Sequence, residues 1–246
     1  MPRAAGDPPT AAGSAATSST GGCSTWRRRG AGSRRGGRAL LPQAGALRGG
    51  LIMVCDKPQN PERREVMAKK VLVVHGSPRV NGNSAQLADA FTRGAEDAGH
   101  EVTRIEVGRA DIRGCLACEY CFSHEGACCQ QDAMQEFYPL LREADVIVWA
   151  TPLYCYNYPA QLRAFQDRMF CGIAKPFGVK QTGLLLCFED KDETRAEPLL
   201  DVYRVNTAYC GQESIGEVVV KAVYEVGAIA GNPGLQEAYD LGASLA

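Results

Sequence analysis

The chain has 246 residues, 11 cysteines and a formal net charge of −1 at neutral pH. The charge is uneven, because residues 1–66 carry a net charge of +7 and residues 67–246 a net charge of −8. The acidic body argues against nucleic acid as the main partner of the folded part. No stretch approaches the roughly 18 apolar residues that span a membrane, so we expect a cytoplasmic protein with no membrane partner.

Residues 1–66 form a basic leader that we expect to be disordered or non-native. Residues 1–50 contain eight arginines, a single acid and almost no hydrophobic periodicity. Such a segment buries too little apolar surface to offset the entropy of ordering it. It could be an organelle transit peptide, a basic arm for nucleic acid, or translated sequence upstream of a true start at Met67 or Met53. The third interpretation is favoured, since the sequence from Met67 opens directly into a complete fold.

The first structured stretch predicts a strand, a polar loop and a helix. The apolar run Val71–Val74 is typical of a strand that is buried on both faces. Gly76 and Pro78 end the strand, and helical spacing of apolar residues begins near Ser84 and continues to about Ala98. Free N–H groups and the helix dipole favour an anion such as phosphate at this junction. An ordinary capped turn is the alternative, since the two commonest nucleotide fingerprints are absent.

Strand and helix signals then alternate to the end of the chain. We predict further strands at residues 100–107, 146–151, 183–188 and 215–223, and helices that begin near Asp132, Pro159, Glu197 and Gly234. The alternation predicts an α/β fold with a doubly wound, five-stranded parallel sheet and helices on both faces. Strands one, three and four are continuously apolar, whereas strands two and five carry charges, which favours the order 2-1-3-4-5. A ligand crevice is then expected at the carboxyl ends of strands one and three.

The segment that follows the third strand, residues 151–159, contains three tyrosines within five residues. It would lie beside the polar loop at the expected crevice. Aromatic and apolar side chains suit the wall of a site for a flat heteroaromatic ring. A tyrosine-rich surface turn is the alternative.

Several motifs together resemble the flavodoxin-like NAD(P)H-dependent FMN reductase family. They are GSPRVNGNSAQL at 76–87, GACCQQDAM at 126–134, TPLYCYNYPAQLRAFQDR at 151–168 and a C-terminal element at 223–242. The resemblance covers the chain from about Lys70 to its end. Thr151 replaces the more usual Ser, Arg163 the Lys, and Asp132-Ala133 the paired acids.

The resemblance implies a set of residues that bind FMN. The phosphate would be held by Ser77, Arg79, Asn83 and Ser84, with Gly82 allowing a close approach. The ring would be lined by Pro152, Leu153, Tyr154, Tyr156 and Asn157.

The implied activity is that of an NAD(P)H-dependent FMN oxidoreductase. NAD(P)H would pass hydride to the flavin, which would give electrons to a small-molecule or protein acceptor. This chemistry needs no acid–base side chain, so we predict no catalytic residue. Family members are commonly oligomers, which implies a homodimer or homotetramer. The alternatives are a non-enzymatic electron-carrier flavoprotein and a metal or redox sensor on a flavin-free sheet.

A run of cysteines lies between the second strand and the Asp132 helix, with the spacing Cys115-x2-Cys118-x2-Cys121-x6-Cys128-Cys129. Compact thiolate spacing of this kind is typical of soft-metal sites. Within the resembled family, iron–sulfur flavoproteins carry a similar motif. The resemblance implies a 4Fe-4S cluster with Cys128, or alternatively Cys129, as its fourth ligand. Zinc and a cluster-less relative are the other interpretations, and a disulfide framework is not expected in a reducing cytosol.

The histidines predict little chemistry. His75, at the end of strand one, could contact a flavin, but a satisfied histidine at the edge of the core is the simpler interpretation. His124, within the cysteine run, could be a ligand or merely solvated. No Ser-His-Asp arrangement is evident, so the sequence does not support hydrolysis.

Overall fold

The computed structural model of the protein describes residues 67–246. The predicted leader, residues 1–66, lies outside the described residues, and the domain boundary at residue 67 stays a prediction. Within the described part, no helix is both long and apolar enough to cross a membrane.

The described residues alternate strands and helices. The strands are β1 (Lys70–His75), β2 (Glu101–Glu106), β3 (Val146–Pro152), β4 (Gln181–Cys187) and β5 (Glu213–Val220). The helices are α1 (Asn83–Asp97), α2 (Tyr120–Ser123), α3 (Met134–Glu143), α4 (Ala160–Arg168), α5 (Glu197–Tyr209) and α6 (Gly234–Ala243). All neighbouring strands pair in parallel, in the order β2-β1-β3-β4-β5. The predicted fold class and strand order are therefore confirmed.

The apolar core forms two layers, one on each face of the sheet. Side chains of a strand alternate between faces, so Val71 and Val73 pack in one layer while Leu72 and Val74 pack in the other. The first layer includes Leu87, Phe91 and Ala238 of helices α1 and α6. The second layer includes side chains of α3, α4 and α5: Met134, Leu141, Leu162, Phe165, Leu199 and Tyr203. The middle residues of the central strands β1, β3 and β4 are apolar because both faces of these strands are covered.

Helices α1 and α6 cross at close range through two glycines. A Cβ atom at Gly94 would lie 2.0 Å from the Tyr239 carbonyl oxygen, and one at Gly242 would lie 2.2 Å from the Phe91 carbonyl oxygen. Backbone therefore meets backbone at this crossing, which leaves no space for a side chain at either position.

Three local features differ from the sequence predictions. Strand β5 ends at Val220 rather than Val223, because the Ala222 N–H donates to the Asp190 carbonyl and the chain turns over the end of β4. The short helix α2 was not predicted. The capping pattern before α3 is only half formed: Asp132 Oδ1 accepts from the Met134 N–H at 3.2 Å, but the Gln135 amide donates to other backbone carbonyls.

Candidate functional site

A cavity of about 530 Å³ opens at the carboxyl ends of β1 and β3, which is the crevice that the strand order predicts. This volume falls within the range of small-molecule sites. The cavity brings together every predicted FMN contact except Asn157. Its lining includes Ser77, Arg79, Gly82, Asn83, Ser84, Pro152, Leu153, Tyr154 and Tyr156, together with Cys187, Phe188, Arg195 and Tyr224.

The loop between β1 and α1, residues 76–82, forms the anion-binding end of the cavity and is named the phosphate loop here. The Arg79 N–H donates to Ser77 Oγ at 3.1 Å, and the loop ends at Gly82, the N-cap of α1. Unpaired N–H groups at the start of a helix attract anions. The backbone of Gly108 packs directly against this loop. A Cβ atom at this position would lie 2.2 Å from the Ser77 carbonyl oxygen, so only glycine allows this contact. Gly108 is not among the predicted site residues, because its only signal in the sequence is a glycine directly after a predicted strand.

The C-terminal segment, residues 221–233, packs against the phosphate loop. Arg79 Nη1 donates to the Tyr224 carbonyl at 3.0 Å, and its guanidinium lies 5.1 Å from the centre of the Tyr224 ring. The Asn83 amide donates to the Glu225 carbonyl at 2.9 Å and accepts from the Ile229 N–H at 3.3 Å. Both polar groups of the Asn83 amide are therefore used to hold the C-terminal segment against the phosphate loop.

The tyrosine-rich segment forms a tight turn at the other end of the cavity. The N–H and carbonyl groups of Tyr154 and Asn157 bond to each other at 2.9 Å in both directions. The two central residues, Cys155 and Tyr156, have left-handed backbones with φ angles of 49° and 61°. This conformation is uncommon for residues other than glycine and is typical of strained functional loops. Asn157 closes the turn and does not line the cavity.

A chain of hydrogen bonds runs behind the phosphate loop. Ser84 Oγ lies 3.0 Å from His75 Nε2, and His75 Nδ1 lies 2.5 Å from Glu106 Oε2. Arg104 Nε donates to the other Glu106 oxygen at 2.7 Å. His75 is fully buried and does not line the cavity, which confirms a satisfied histidine at the edge of the core. No Ser-His-Asp arrangement was evident in the sequence, and the Ser84–His75–Glu106 chain seen here depends on the pairing of β1 with β2, in which His75 faces Glu106.

The cysteine run, residues 115–129, is named the cysteine loop from here on, and it surrounds a much smaller cavity of about 20 Å³. The cavity is lined by Cys115, Cys118, Cys121, Cys128, Cys129, Cys171 and Arg168, among other residues. Cys118 Sγ and Cys129 Sγ are 3.6 Å apart. Residues 67–246 nevertheless contain no group of three or more His, Cys, Asp or Glu side chains arranged to hold a metal ion. All four predicted ligands therefore line one cavity, but in residues 67–246 they are not arranged around a common metal position.

Arg168 lines the cavity of the cysteine loop, and its side chain is completely buried. Nη1 donates to Asp132 Oδ2 at 2.5 Å and to the Arg113 carbonyl at 3.0 Å. Nη2 donates to Cys128 Sγ at 3.3 Å and to the Gln130 carbonyl at 3.4 Å. Nε is buried and finds no hydrogen-bond partner among residues 67–246. A buried cation with an unused donor beside several thiols suits an anionic, sulfur-rich group, so the donor set fits an iron–sulfur cluster.

A parallel sheet of this order, with an anion-binding loop and an aromatic wall at its switch point, defines a flavodoxin-like protein. The chain belongs to the NADPH-dependent FMN reductase family, whose match spans residues 69–197. The predicted family is thereby confirmed.

Known relatives agree with this assignment. The chain is 34% identical over 113 residues to an iron-sulfur flavoprotein of Archaeoglobus fulgidus, a match that covers 46% of this chain and 49% of that protein. It is also 34% identical over 111 residues to an iron-sulfur flavoprotein of Methanosarcina thermophila, covering 45% and 58% of the two chains. The chain thus spans about half the length of the curated relatives it matches. A solved NAD(P)H:quinone oxidoreductase from Methanothermobacter marburgensis shares the fold, with a TM-score of 0.58 at 18% identity over 72% of this chain and 95% of that one.

Proposed function

We propose that the protein is an FMN-dependent NAD(P)H oxidoreductase that holds FMN in the cavity at the carboxyl ends of β1 and β3. The observation that carries this proposal is the meeting of an anion-binding helix N-terminus and an aromatic wall in one 530 Å³ cavity. When bound, FMN supplies hydride acceptance and electron donation, chemistry that amino-acid side chains lack.

The phosphate loop is suited to one phosphate group. Ser77, Arg79 and Ser84 line the cavity, and the N-terminus of α1 adds free N–H groups and a favourable dipole. Charge-assisted hydrogen bonds to a phosphate are stronger than neutral ones, and Arg79 supplies the charge. The lack of a dinucleotide fingerprint agrees with a mononucleotide.

The opposite end of the cavity is suited to the flavin ring. Pro152 and Leu153 give an apolar surface at the end of β3, and the Tyr154–Asn157 turn places two tyrosines beside it. The side chains of Tyr154 and Tyr156 are partly exposed, at 39% and 55%, so a nicotinamide has open access to that side. These residues bind and orient the ring, and we assign no proton transfer to any side chain.

We further infer that the cysteine loop holds a 4Fe-4S cluster through Cys115, Cys118, Cys121 and Cys128. A cluster of this type would supply one-electron transfer to an acceptor, either a small molecule or a protein. The four thiols line one cavity, and Arg168 already donates to the sulfur of Cys128. That hydrogen bond favours Cys128 over Cys129 as the fourth ligand, because hydrogen bonds to ligand sulfurs orient them and tune the cluster.

An anaerobic titration tests the oxidoreductase activity. NADPH or NADH is added to the FMN-loaded protein under nitrogen, and the flavin absorbance is followed. The expected result is bleaching by at least one nucleotide within the catalytic time scale of seconds or less. If neither nucleotide reduces the flavin and a reduced ferredoxin does, the protein is an electron carrier. If purified protein binds no FMN, the flavin-free sensor is favoured.

Iron and acid-labile sulfide analysis tests the cluster. We expect bound iron and sulfide in anaerobically purified wild type and their loss in Cys118→Ser, while Cys210→Ser serves as a matched control, because both cysteines are exposed and Cys210 lies outside the loop. Comparison of Cys128→Ser with Cys129→Ser identifies the fourth ligand. Zinc instead of iron, or no metal in wild type, would contradict the inference.

We also propose a cytoplasmic homodimer or homotetramer whose described domain binds no nucleic acid. Large apolar side chains near α4 and α5 support self-association, since Ile173, Val205 and Tyr209 are 55%, 66% and 81% exposed. Light scattering after size exclusion would give the mass, and a monomer at micromolar concentration would contradict the proposal.

A further inference from the structure

Another cavity, of about 520 Å³, lies between α4 and α5 on the face of the sheet that carries the second core layer. It is named the α4–α5 cavity here. Four buried side chains form its inner wall, namely Trp149, Tyr158, Tyr203 and Thr207. The volume falls within the range of small-molecule sites. No residue lines both this cavity and the flavin cavity, so the two are separate sites.

The α4–α5 cavity borders the cysteine loop. Cys115 and Phe170 line both this cavity and the small one that the cysteine loop surrounds. Cys115 is one of the four thiols that we assign to the cluster. A molecule in the α4–α5 cavity would therefore lie against a cluster ligand, and an electron needs no further carrier to pass between the two.

The inner wall is suited to a flat aromatic molecule that carries oxygen acceptors. The rings of Trp149, Tyr158 and Tyr203 give it aromatic surface. The Tyr203 hydroxyl is already used, since it donates to the Thr182 carbonyl at 3.1 Å and lies 3.0 Å from Ser214 Oγ. Burial raises the pKa of the Tyr158 hydroxyl, so this group stays protonated and can donate a hydrogen bond at neutral pH.

The polar groups around Tyr158 favour a ligand that gains negative charge on its oxygen atoms. Gln166 and Arg163 lie beside the Tyr158 hydroxyl and also line the cavity. Arg163 Nη1 donates to Gln166 Oε1 at 2.9 Å, and Nη2 lies 3.6 Å from Asp167 Oδ1. The pair with Asp167 is exposed and therefore weak, which leaves the guanidinium charge available to an anionic oxygen.

We propose that the α4–α5 cavity binds the electron acceptor, a flat carbonyl compound of the quinone class, against Cys115. The inference rests on the proposed function, because the electrons come from NAD(P)H through FMN and the cluster. The reaction balances as NAD(P)H, one proton and a quinone giving NAD(P)⁺ and a hydroquinone. The hydride supplies the electron pair and one proton, and solvent supplies the other proton. Tyr158 is a positioning residue that donates to a carbonyl oxygen of the acceptor.

A second copy of the chain is the alternative occupant. Ile173 and Tyr209, which belong to the surface that we propose for self-association, also line this cavity and are exposed at its mouth. An apolar surface that filled the cavity would cover the polar groups of Tyr158, Gln166 and Asn206 without giving them partners, which costs free energy. A ligand with carbonyl oxygens satisfies them, so the inner wall favours the small molecule.

Trp149 gives a direct readout of binding, since the other tryptophan, Trp26, lies outside the described residues. The FMN-loaded protein is titrated with menadione, a simple quinone, while tryptophan fluorescence is followed. We expect saturable quenching in wild type and its loss in Trp149→Phe. Tyr158→Phe should weaken binding by about 3- to 10-fold. Tyr239→Phe, which removes a hydroxyl on α6 at the opposite face of the sheet, is the matched control and should bind as wild type does.

Three results of this titration overturn the proposal. They are quenching that does not saturate, equal affinity of wild type and Tyr158→Phe, and Trp149 emission that responds to protein dilution but not to menadione. The last result would show that a second copy fills the cavity.

Steady-state turnover gives an independent test. With NAD(P)H as donor, the KM for menadione should rise by about 3- to 10-fold in Tyr158→Phe and stay unchanged in Tyr239→Phe. An unchanged KM in Tyr158→Phe would place quinone reduction at the flavin and overturn the proposal. If the protein binds no FMN, the proposed function itself fails, whereas the Trp149 titration of the flavin-free protein still decides whether the cavity binds a quinone.

Discussion

Arg168 connects both ends of the cysteine loop through its hydrogen bonds to the Arg113 carbonyl and to Cys128. Replacing Arg168 by methionine removes the buried partner of the Asp132 carboxylate, whose side chain is 2% exposed, and leaves only the exposed Arg113 guanidinium 3.7 Å away. Breaking a buried ion pair in this way is expected to lower the free energy of unfolding by about 3–5 kcal/mol. Urea denaturation of Arg168→Met measures the loss. Arg163→Met, which removes an exposed pair with Asp167, is the control and should change stability by about 0.5 kcal/mol or less. Equal effects would contradict the assignment.

The same ion pair predicts a pH dependence. Burial raises the pKa of the Asp132 carboxyl, but hydrogen bonds from the Arg168 guanidinium and the Arg113 N–H outweigh it and lower the pKa below its usual value. A depressed pKa in the folded state contributes stability above the unfolded value of about 3.9, and this is lost as the pH falls through the folded pKa. The free energy of unfolding, measured at pH 5 and at pH 3, should therefore decrease less on acidification in Arg168→Met than in wild type. Identical losses would show that the pair is uncoupled.

At the scale of the element, Gly108 fixes the position of the phosphate loop. A methyl group there would lie 2.2 Å from the Ser77 carbonyl oxygen and 2.7 Å from the Pro78 nitrogen, so the loop must move. We expect Gly108→Ala to weaken FMN binding by at least about 10-fold and to cost about 1–3 kcal/mol of stability. Flavin fluorescence titration measures the affinity. In Gly114→Ala, the control, no atom of residues 67–246 other than those of residues 113–115 lies within 4 Å of the added carbon.

Local elements were predictable from the sequence, whereas contacts across the sheet were not. The β1–loop–α1 unit was placed to within a residue at its ends, because its signals are periodicity and turn chemistry within one segment. The contact of His75 with Glu106 depends on the register of β1 against β2, which no short pattern encodes. The role of Asn157 was equally hidden, since it follows from the turn conformation.

At the scale of the whole molecule, the crossing of α1 and α6 holds the C-terminal end of the chain against the first helix. Gly94→Ala should destabilise the protein by about 2 kcal/mol or more, although alanine favours helix, because the methyl group would meet the Tyr239 carbonyl at 2.0 Å. Arg93→Ala on the exposed face of α1 is the control and should be close to neutral. Thermal unfolding compares the two, and a stabilised Gly94→Ala would contradict the packing.

The order of the strands was predictable from the sequence, but the packing of the C-terminal segment was not. The charged residues of the second and fifth strands gave the sheet edges, because edge strands leave one side exposed and central strands do not. The contacts of Arg79 and Asn83 with Tyr224 and Glu225 were not predictable, since they join segments more than 140 residues apart. The side chains expected to bind phosphate thus also hold the C-terminal segment against the site.

The proposed function requires that the cavity beside α1 binds a flavin mononucleotide through its phosphate. The most direct measurement compares the affinities of FMN and riboflavin for the flavin-free protein, in wild type and in Arg79→Ala. We expect wild type to bind FMN at least about 100-fold more tightly than riboflavin, since charge-assisted hydrogen bonds contribute about 1.5–3 kcal/mol each. Arg79→Ala should lose most of that preference while its riboflavin affinity changes little. Equal affinities of wild type for FMN and riboflavin, or no binding of either, would contradict the claim.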